Sequence, residues 1–359
     1  MVLPTARAAI RRTLPPLLAG LLLAGCSHAG NESAATPAVA ATATATLAVP
    51  TQAAADAQPL AAAPSVDIAP PTEEGPLLQI PGLSGSYGHR AGLHKVKDDL
   101  HLSASAALVV DQETGKVLLH RNEDAVLPIA SLTKLMTALV VTEAGLPMDQ
   151  SITITDDDVD VERHSRSRLR VGTTLTRIEA LQLALMASEN RAAHALGRTF
   201  PAGLPAFVQA MNAKARALGM KNTTYVEPTG LSTANQSTAR DLARIVDAAS
   251  KNPVLAEFTT TRQHLLPVAR GRMVQYNNSN RLVKNPSWEI ELQKTGYIVE
   301  SGWCMVLDTK IAGRNLVMVL LDAGGAGSRI ADAERIKRVL SSPARVVSDD
   351  ATGRRPTHG

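Results

Sequence analysis

Apolar and polar residues alternate most clearly at the two ends of the stretch between residues 100 and 340. Ala104–Val110 and Lys116–His120 read as two strands around a turn at Asp111–Gly115, a hairpin. Glu289–Gly296, Trp303–Lys310 and Asn315–Asp322 form a second group of strand-like runs. Between the groups the spacing becomes helical. A helix is predicted from about Ser131 to Ala144, closed by Gly145. Thr176-Arg177-Ile178-Glu179 is a capping-box pattern, and the helix behind it leads to Ser188. Leu204–Leu218 is amphipathic and ends at Gly219, Thr238-Ala239-Arg240-Asp241 opens a helix to about Ser250, and Ser328–Leu340 reads as a last helix. Strands at both ends with helices between predict an α+β domain.

Before residue 100 no such pattern holds. Residues 1–25 read as a secretion signal: Arg7, Arg11 and Arg12, then an apolar run from Leu14 to Leu23, too short to span a bilayer and broken by Pro15 and Pro16. The run ends Leu23-Ala24-Gly25-Cys26, which resembles the lipobox of bacterial lipoproteins. That resemblance implies a lipid on Cys26 and, with Ser27 next, a periplasm-facing place on the outer membrane. An ordinary cleavage site beside a cysteine is the alternative. Residues 26–95 are assigned to a disordered linker, Ala-, Thr- and Pro-rich as far as about Gly75. The stretch from 76 to 100 is ambiguous, because Leu77–Leu83 and Tyr87–Leu100 can also cover an edge of the fold. A linker of this length spans roughly 45 Å root-mean-square and on the order of 200 Å stretched. The folded domain is placed at 96–342 and a polar tail at 343–359.

Composition adds exclusions. Arg7, Arg11 and Arg12 supply three of the 37 basic residues, so removal of the signal leaves 34 against 33 acidic residues. A chain so near neutrality gives no reason to expect nucleic acid. If Cys26 is lipidated, Cys304 has no disulfide partner, and its apolar run marks a buried, inert thiol. His164, His194 and His264 are isolated. No spacing suggests a metal site, and no cofactor is expected.

The candidate chemistry lies in three motifs, in this order: Ser131-Leu132-Thr133-Lys134, Ser188-Glu189-Asn190 and Lys294-Thr295-Gly296. Ser131 at a helix N-terminus suits a nucleophile, and Lys134 lies one turn on, where a base must sit to take the serine proton. Ser188 and Asn190 bring a hydroxyl and an amide; Lys294 and Thr295 can hold an anion. Ser-x-x-Lys alone recurs by chance, so the order and placement of all three carry the weight.

Together they resemble the signature of penicillin-binding proteins and class A β-lactamases. Pro128–Val141 (PIASLTKLMTALVV), Leu183–Ala193 (LALMASENRAA), Ser237–Leu242 (STARDL) and Gln293–Gly302 (QKTGYIVESG) are similar to low-molecular-mass penicillin-binding proteins, serine D-alanyl-D-alanine endopeptidases and carboxypeptidases. The similarity covers roughly residues 100–340. Glu189, where the wider family often has Asp or Gly, favours the periplasmic endopeptidase branch.

This resemblance implies a β-lactamase/transpeptidase-like fold, an antiparallel sheet flanked by helices with an inserted all-helical part. It implies cleavage of D-Ala–diaminopimelate cross-links in peptidoglycan peptides through an acyl-enzyme on Ser131, and covalent inhibition by β-lactams. Lys134 is then the base, its pKa lowered by partial burial and by the charge of Lys294. Ser188 relays a proton, and Asn190 binds substrate and orients Lys134. The N–H groups of Ser131 and, by family analogy, Tyr297 hold the oxyanion, and Lys294-Thr295-Gly296 receives the substrate carboxylate.

A D-Ala-D-Ala carboxypeptidase remains an alternative, because both reactions present a carboxylate at the same point. A class A-like β-lactamase would use Glu227 in deacylation, but Glu227-Pro228-Thr229-Gly230-Leu231 resembles a peptidase loop. A non-catalytic wall-binding lipoprotein would not need all three motifs. The run Arg163–Arg170 (RHSRSRLR) is read as a solvated loop, with contact to anionic wall polymers as the alternative.

Overall fold

A computed structural model describes residues 85–268 and 272–342. The expected signal, Cys26, most of the linker and the tail lie outside the described residues. The first described element is a short helix, α1 (Tyr87–Arg90), followed by a 3₁₀ turn at Leu93–Lys95. The predicted hairpin follows as β1 (Ala106–Asp111) and β2 (Val117–Arg121). Its turn is held by Asp111, whose carboxylate accepts the N–H groups of Glu113 and Thr114.

The chain then becomes largely helical. A two-residue strand β3 (Leu127–Pro128) and a 3₁₀ turn (Ala130–Leu132) lead into α2 (Thr133–Glu143). Ser131 therefore sits in a tight turn just before the α-helix, which begins two residues after the predicted start. Strands β4 (Ser151–Thr153) and β5 (Thr174–Thr176) pair with each other. The capping box forms as read: Thr176 and Glu179 bond reciprocally at the start of α3 (Arg177–Met186). Next come α4 (Asn190–Arg198) and α5 (Gly203–Ala217), the latter ended by Gly219 at φ +71°. A short β6 (Gln236–Ser237) pairs with β3, and Thr238 caps α6 (Ala239–Ser250). Several elements escaped the sequence reading, among them α7 (Pro253–Thr260), capped by Asn252, and the hairpin β7 (Gln263–Val268) with β8 (Arg272–Asn277). Pro267 and the Arg270-Gly271-Arg272 run interrupt the apolar alternation there.

The last three strands, β9 (Glu289–Ile298), β10 (Gly302–Ile311) and β11 (Arg314–Ala323), precede α8 (Ala326–Leu340). The main sheet has the order β2-β1-β11-β10-β9 and is antiparallel throughout. β1 pairs with β11, Ala106 opposite Leu321, so the two ends of the domain close one sheet around the helical insertion. β9 is left as an edge strand.

Both faces of this sheet are covered. Val317, Val319 and Leu321 of β11 join the core formed with the inserted helices, and Leu316, Met318 and Leu320 join the one beneath Ala333 and Ile336 of α8. This accounts for the unbroken apolar runs of the late strands. Each such side chain contributes about 1.5–3 kcal/mol of burial. Every residue of α2 from Thr133 to Val141 is buried, and α3 to α7 all pack on this helix. The expected α+β architecture is the one observed.

The linker boundary at 95 needs correction. Ser86 caps α1, and the Tyr87 N–H donates to Glu300 O in the β9–β10 turn. Arg121, 5 % exposed, donates to the carbonyls of Leu102, Ala104, His94 and Val96 and pairs with Asp98 at 3.2 Å. Residues 85–95 are thus part of the fold. Composition hid this because the acceptors are backbone carbonyls, which every residue carries. A chain beginning at residue 96 strands part of a buried guanidinium and should lose on the order of 3 kcal/mol against one beginning at 85. Thermal unfolding checks this: the shorter chain melts several degrees lower, and equal melting temperatures would contradict it.

Candidate active site

The N-terminal turn of α2 brings Lys134 beneath Ser131. Lys134 is 0 % exposed, and its Nζ lies 2.8 Å from Ser131 Oγ, 2.8 Å from Asn190 Oδ1 and 2.6 Å from Thr229 O. Burial brings its pKa down to about 7, against the pull of Glu227 and then Glu189 in the other direction. Near neutral pH the amine is therefore available uncharged. A neutral amine has two N–H groups and one lone pair. Asn190 Oδ1 and Thr229 O can only accept. Both N–H groups go to them, and the lone pair is left facing the Ser131 hydroxyl. The arrangement removes a proton from that hydroxyl without a histidine.

Lys294 sits deeper than the sequence suggested. It is also 0 % exposed, and Nζ donates to Ser188 Oγ at 2.9 Å and to Thr295 O at 2.8 Å. Burial, then Lys134, then Arg329 depress its pKa well below the usual lysine range. The expected repulsion between the lysines thus weighs on Lys294, while Lys134 is shifted by burial itself. Ser188 occupies the sharp corner between α3 and α4 at φ +60°, a left-handed conformation uncommon for serine. The corner brings its hydroxyl to Lys294, while Asn190, the first residue of α4, reaches Lys134.

The cleft above these groups has a volume of about 240 Å³ and is lined by Ser131, Ser188, Ser279, Thr295, Gly296, Tyr297, Trp303 and Arg329. Ser279 and Arg329 were not singled out from the sequence. Ser279 Oγ is 2.8 Å from Thr295 Oγ1. Arg329, on the first turn of α8, bonds Cys304 O at 2.8 Å and Gly296 O at 3.3 Å, and its guanidinium lies 5.2 Å from the Trp303 ring centre. Trp303 in turn stacks on Tyr297, with 4.1 Å between ring centres. No motif surrounds Arg329; only folding α8 under the sheet brings it to the cleft.

Two glycines set how closely the walls approach the nucleophile. A Cβ at Gly296 would come within 3.0 Å of Ile129 O and Ser131 N. At Gly230, with φ +85°, a Cβ would overlap Ala130 O at 1.9 Å. β9 presents its open edge to the cleft. The Ile298 N–H is taken by Ser301 Oγ within the β9–β10 hairpin, so strand alternation turns the Tyr297 N–H to the open side of β9, and Tyr297 and Ser131 line the same cleft. Two N–H groups there suit a developing oxyanion.

The remaining sequence candidates have other occupations. The Glu227 carboxylate accepts from Thr229 N and Oγ1, Gly230 N, Ser232 N and Asn235 Nδ2. It shapes the loop that offers Thr229 O to Lys134 and points at no substrate position. Within the arginine-rich run, Arg163 binds Leu231 O and pairs with Glu300 at 2.9 Å, and Arg168 donates to Gln275 O. Arg166 and Arg170 are exposed. His164 is exposed, and His194 pairs with Asp158 at 2.8 Å. Cys304 is buried, its thiol raised to about 11 by burial. Among the described residues no His, Cys, Asp or Glu cluster could hold a metal ion, and no helix is long and apolar enough to cross a membrane.

The chain is similar to known proteins. The chain is 46% identical to a D-alanyl-D-alanine endopeptidase of Pseudomonas aeruginosa over 261 residues, covering 72% of this chain and 83% of the relative. It is 39% identical to a D-alanyl-D-alanine endopeptidase of Escherichia coli, covering 69% and 82%. The fold superposes on the Streptomyces K15 DD-transpeptidase with a TM-score of 0.62 at 27% identity, over 67% of this chain and 97% of that one. It superposes on penicillin-binding protein D2 of Listeria monocytogenes, solved in a cefotaxime-bound form, with a TM-score of 0.60 at 29% identity, over 68% and 100%. These likenesses bear out the β-lactamase/transpeptidase-like fold. The family model for D-alanyl-D-alanine carboxypeptidases matches residues 93–325, and the chain belongs to this family of serine D-Ala-D-Ala peptidases.

Proposed function

We propose that the protein is a DD-endopeptidase that opens peptidoglycan cross-links through an acyl-enzyme on Ser131. The observation that carries this reading is the buried, near-neutral Lys134 with its lone pair left to the Ser131 hydroxyl. Lys134 takes the serine proton as Oγ attacks the D-Ala carbonyl. The Ser131 and Tyr297 N–H groups hold the oxyanion. As the C–N bond breaks, the proton that Lys134 took from Ser131 passes by way of Ser188, which Lys294 holds in place, to the departing amine, and Lys134 is neutral again. Lys134 then takes a proton from the attacking water, and as the ester C–O bond breaks it returns that proton to Ser131 Oγ.

The division of labour differs from the sequence expectation at one point. Lys294 is engaged behind Ser188, and the guanidinium that lines the cleft is Arg329. In this reading Arg329, with Thr295 and Ser279, receives the carboxylate beside the scissile bond. Gly296 leaves room for the β9 edge to pair with substrate backbone, and Asn190 keeps Lys134 in place.

The endopeptidase assignment rests on the two relatives that carry that name. A carboxypeptidase reading draws on a Bacillus subtilis relative of that name, 30% identical over 67% of this chain. Digestion of purified cross-linked muropeptides, with mass analysis, separates them: the account expects dimers converted to monomers, and release of terminal D-Ala alone would favour the carboxypeptidase. Peptidoglycan places the enzyme in the periplasm, and Cys26 is read as the lipid anchor to the outer membrane. Cys26→Ser should leave the protein soluble or stall its processing; an unlipidated, soluble wild-type protein would remove the anchor.

Two further outcomes follow for the site. Labelled penicillin attaches to Ser131 and not to Ser131→Ala, and its acylation rate rises about tenfold per pH unit below 7 and levels off above, as Lys134 loses its proton. A rate flat between pH 5 and 8 would contradict this. Arg329→Ala lowers kcat/KM roughly 100-fold for peptides with the free carboxylate and only a few-fold for amidated ones, whereas Lys294→Ala damages both alike. An equal loss on both substrates in Arg329→Ala would return the carboxylate to another residue.

A further inference from the structure

The segment from Asp160 to Arg170 belongs to none of the three motifs, yet its hydrogen bonds lead to the reacting lysine. The Asp160 carboxylate accepts backbone N–H groups from Glu162 at 3.1 Å, Arg163 at 3.0 Å and Ser165 at 2.8 Å. Although burial works against it, bonds from the Arg163 and Ser165 backbone and from the Ser165 side chain hold this carboxyl below its ordinary range. The half-buried Ser165 Oγ accepts from Asn190 Nδ2 at 3.0 Å, and Asn190 Oδ1 accepts from Lys134 Nζ at 2.8 Å.

An asparagine amide has two ends of one shape and opposite hydrogen-bonding character. Rotated by half a turn, Asn190 would present N–H to Lys134. The lysine would lose one of its two acceptors, and its lone pair would face the amide as readily as the serine. The productive orientation needs a group that accepts from Nδ2. Ser165 meets that need, because its own proton is directed at Asp160, which only accepts.

We propose that Ser165, oriented by Asp160, is a positioning residue that locks the Asn190 amide and so keeps the Lys134 lone pair on Ser131. The inference rests on the reading of Lys134 as base to Ser131. Other anchors hold the loop independently: Arg163 on Leu231 O and Glu300, Ser167 on Glu189, and Arg168 on Gln275 O and over the Tyr276 ring. The Ser165 hydroxyl can therefore be removed without releasing the segment.

The experiment is pre-steady-state acylation by a fluorescent penicillin, which separates the rate at saturation from the half-saturating concentration. Ser165→Ala lowers the saturating rate about 10- to 50-fold with half-saturation within about twofold. Ser165→Thr, which keeps the hydroxyl, stays within about threefold of wild type. Arg168→Ala, which removes a loop anchor, also stays within about threefold. An unchanged rate in Ser165→Ala overturns the proposal, and so does Arg168→Ala being as slow as Ser165→Ala, because loop order would then matter rather than the hydroxyl. Failure of the wild type to acylate at Ser131 removes the underlying reading as well. Normal acylation of wild type with no effect in Ser165→Ala removes only this inference.

Discussion

A lysine side chain with no exposure to water is the constraint on which the rest of the site depends. Burial brings Lys134 from the usual 10.5 to about 7, a difference on the order of 5 kcal/mol between its two protonation states. The sign follows from proton binding. Between about pH 7 and 10.5 the unfolded chain holds the lysine proton and the folded chain does not, so this group's penalty to stability is full below 7 and fades as pH rises to 10.5. The fold retains an unfavourable lysine because a neutral amine beside Ser131 is what the chemistry requires. Glu227 and Glu189 limit the shift; burial alone would push it further.

The architecture serves to hold this amine dry and aimed. α2 is buried along nearly its whole length, so its first turn is fixed by the inserted helices on every side. The sheet, closed by β1 against β11, brings the edge strand β9 to the mouth of that helix. Contact is tight enough that neither Gly296 nor Gly230 has room for a side chain. Thr229 O from a loop and Asn190 Oδ1 from the first turn of α4 then take both lysine N–H groups. Ser188 and Lys294 form a second polar pair beside the first, and the two lysines weigh on each other only through Lys294.

Much of this was legible in the sequence where a residue acts through a local pattern. The hairpin, the capping box at Thr176, the late strands and the three motifs all depend on spacings within a few residues. What escaped depends on distant chain segments. Arg329 reaches the cleft only because α8 packs under β10 and β11. Residues 85–95 join the fold through carbonyls offered to Arg121, which no composition reveals. The depth of Lys294 was misjudged because an edge strand in sequence reads as exposed, whereas α7 and the Ser188 corner cover this one. Glu227 lies in the expected interval, but its oxygens are turned back onto its own loop.

The most direct test is to titrate Lys134 itself. Carbon-13 labelling of the lysine ε-carbons, with Lys134→Arg used to assign the signal, follows its chemical shift with pH in the folded, uninhibited protein. The account predicts a midpoint near 7, more than three units below the ordinary lysine value of 10.5. A Lys134 signal that stays in the charged position up to pH 9 or beyond would mean that the amine is not the base, and the mechanism built on it would fall.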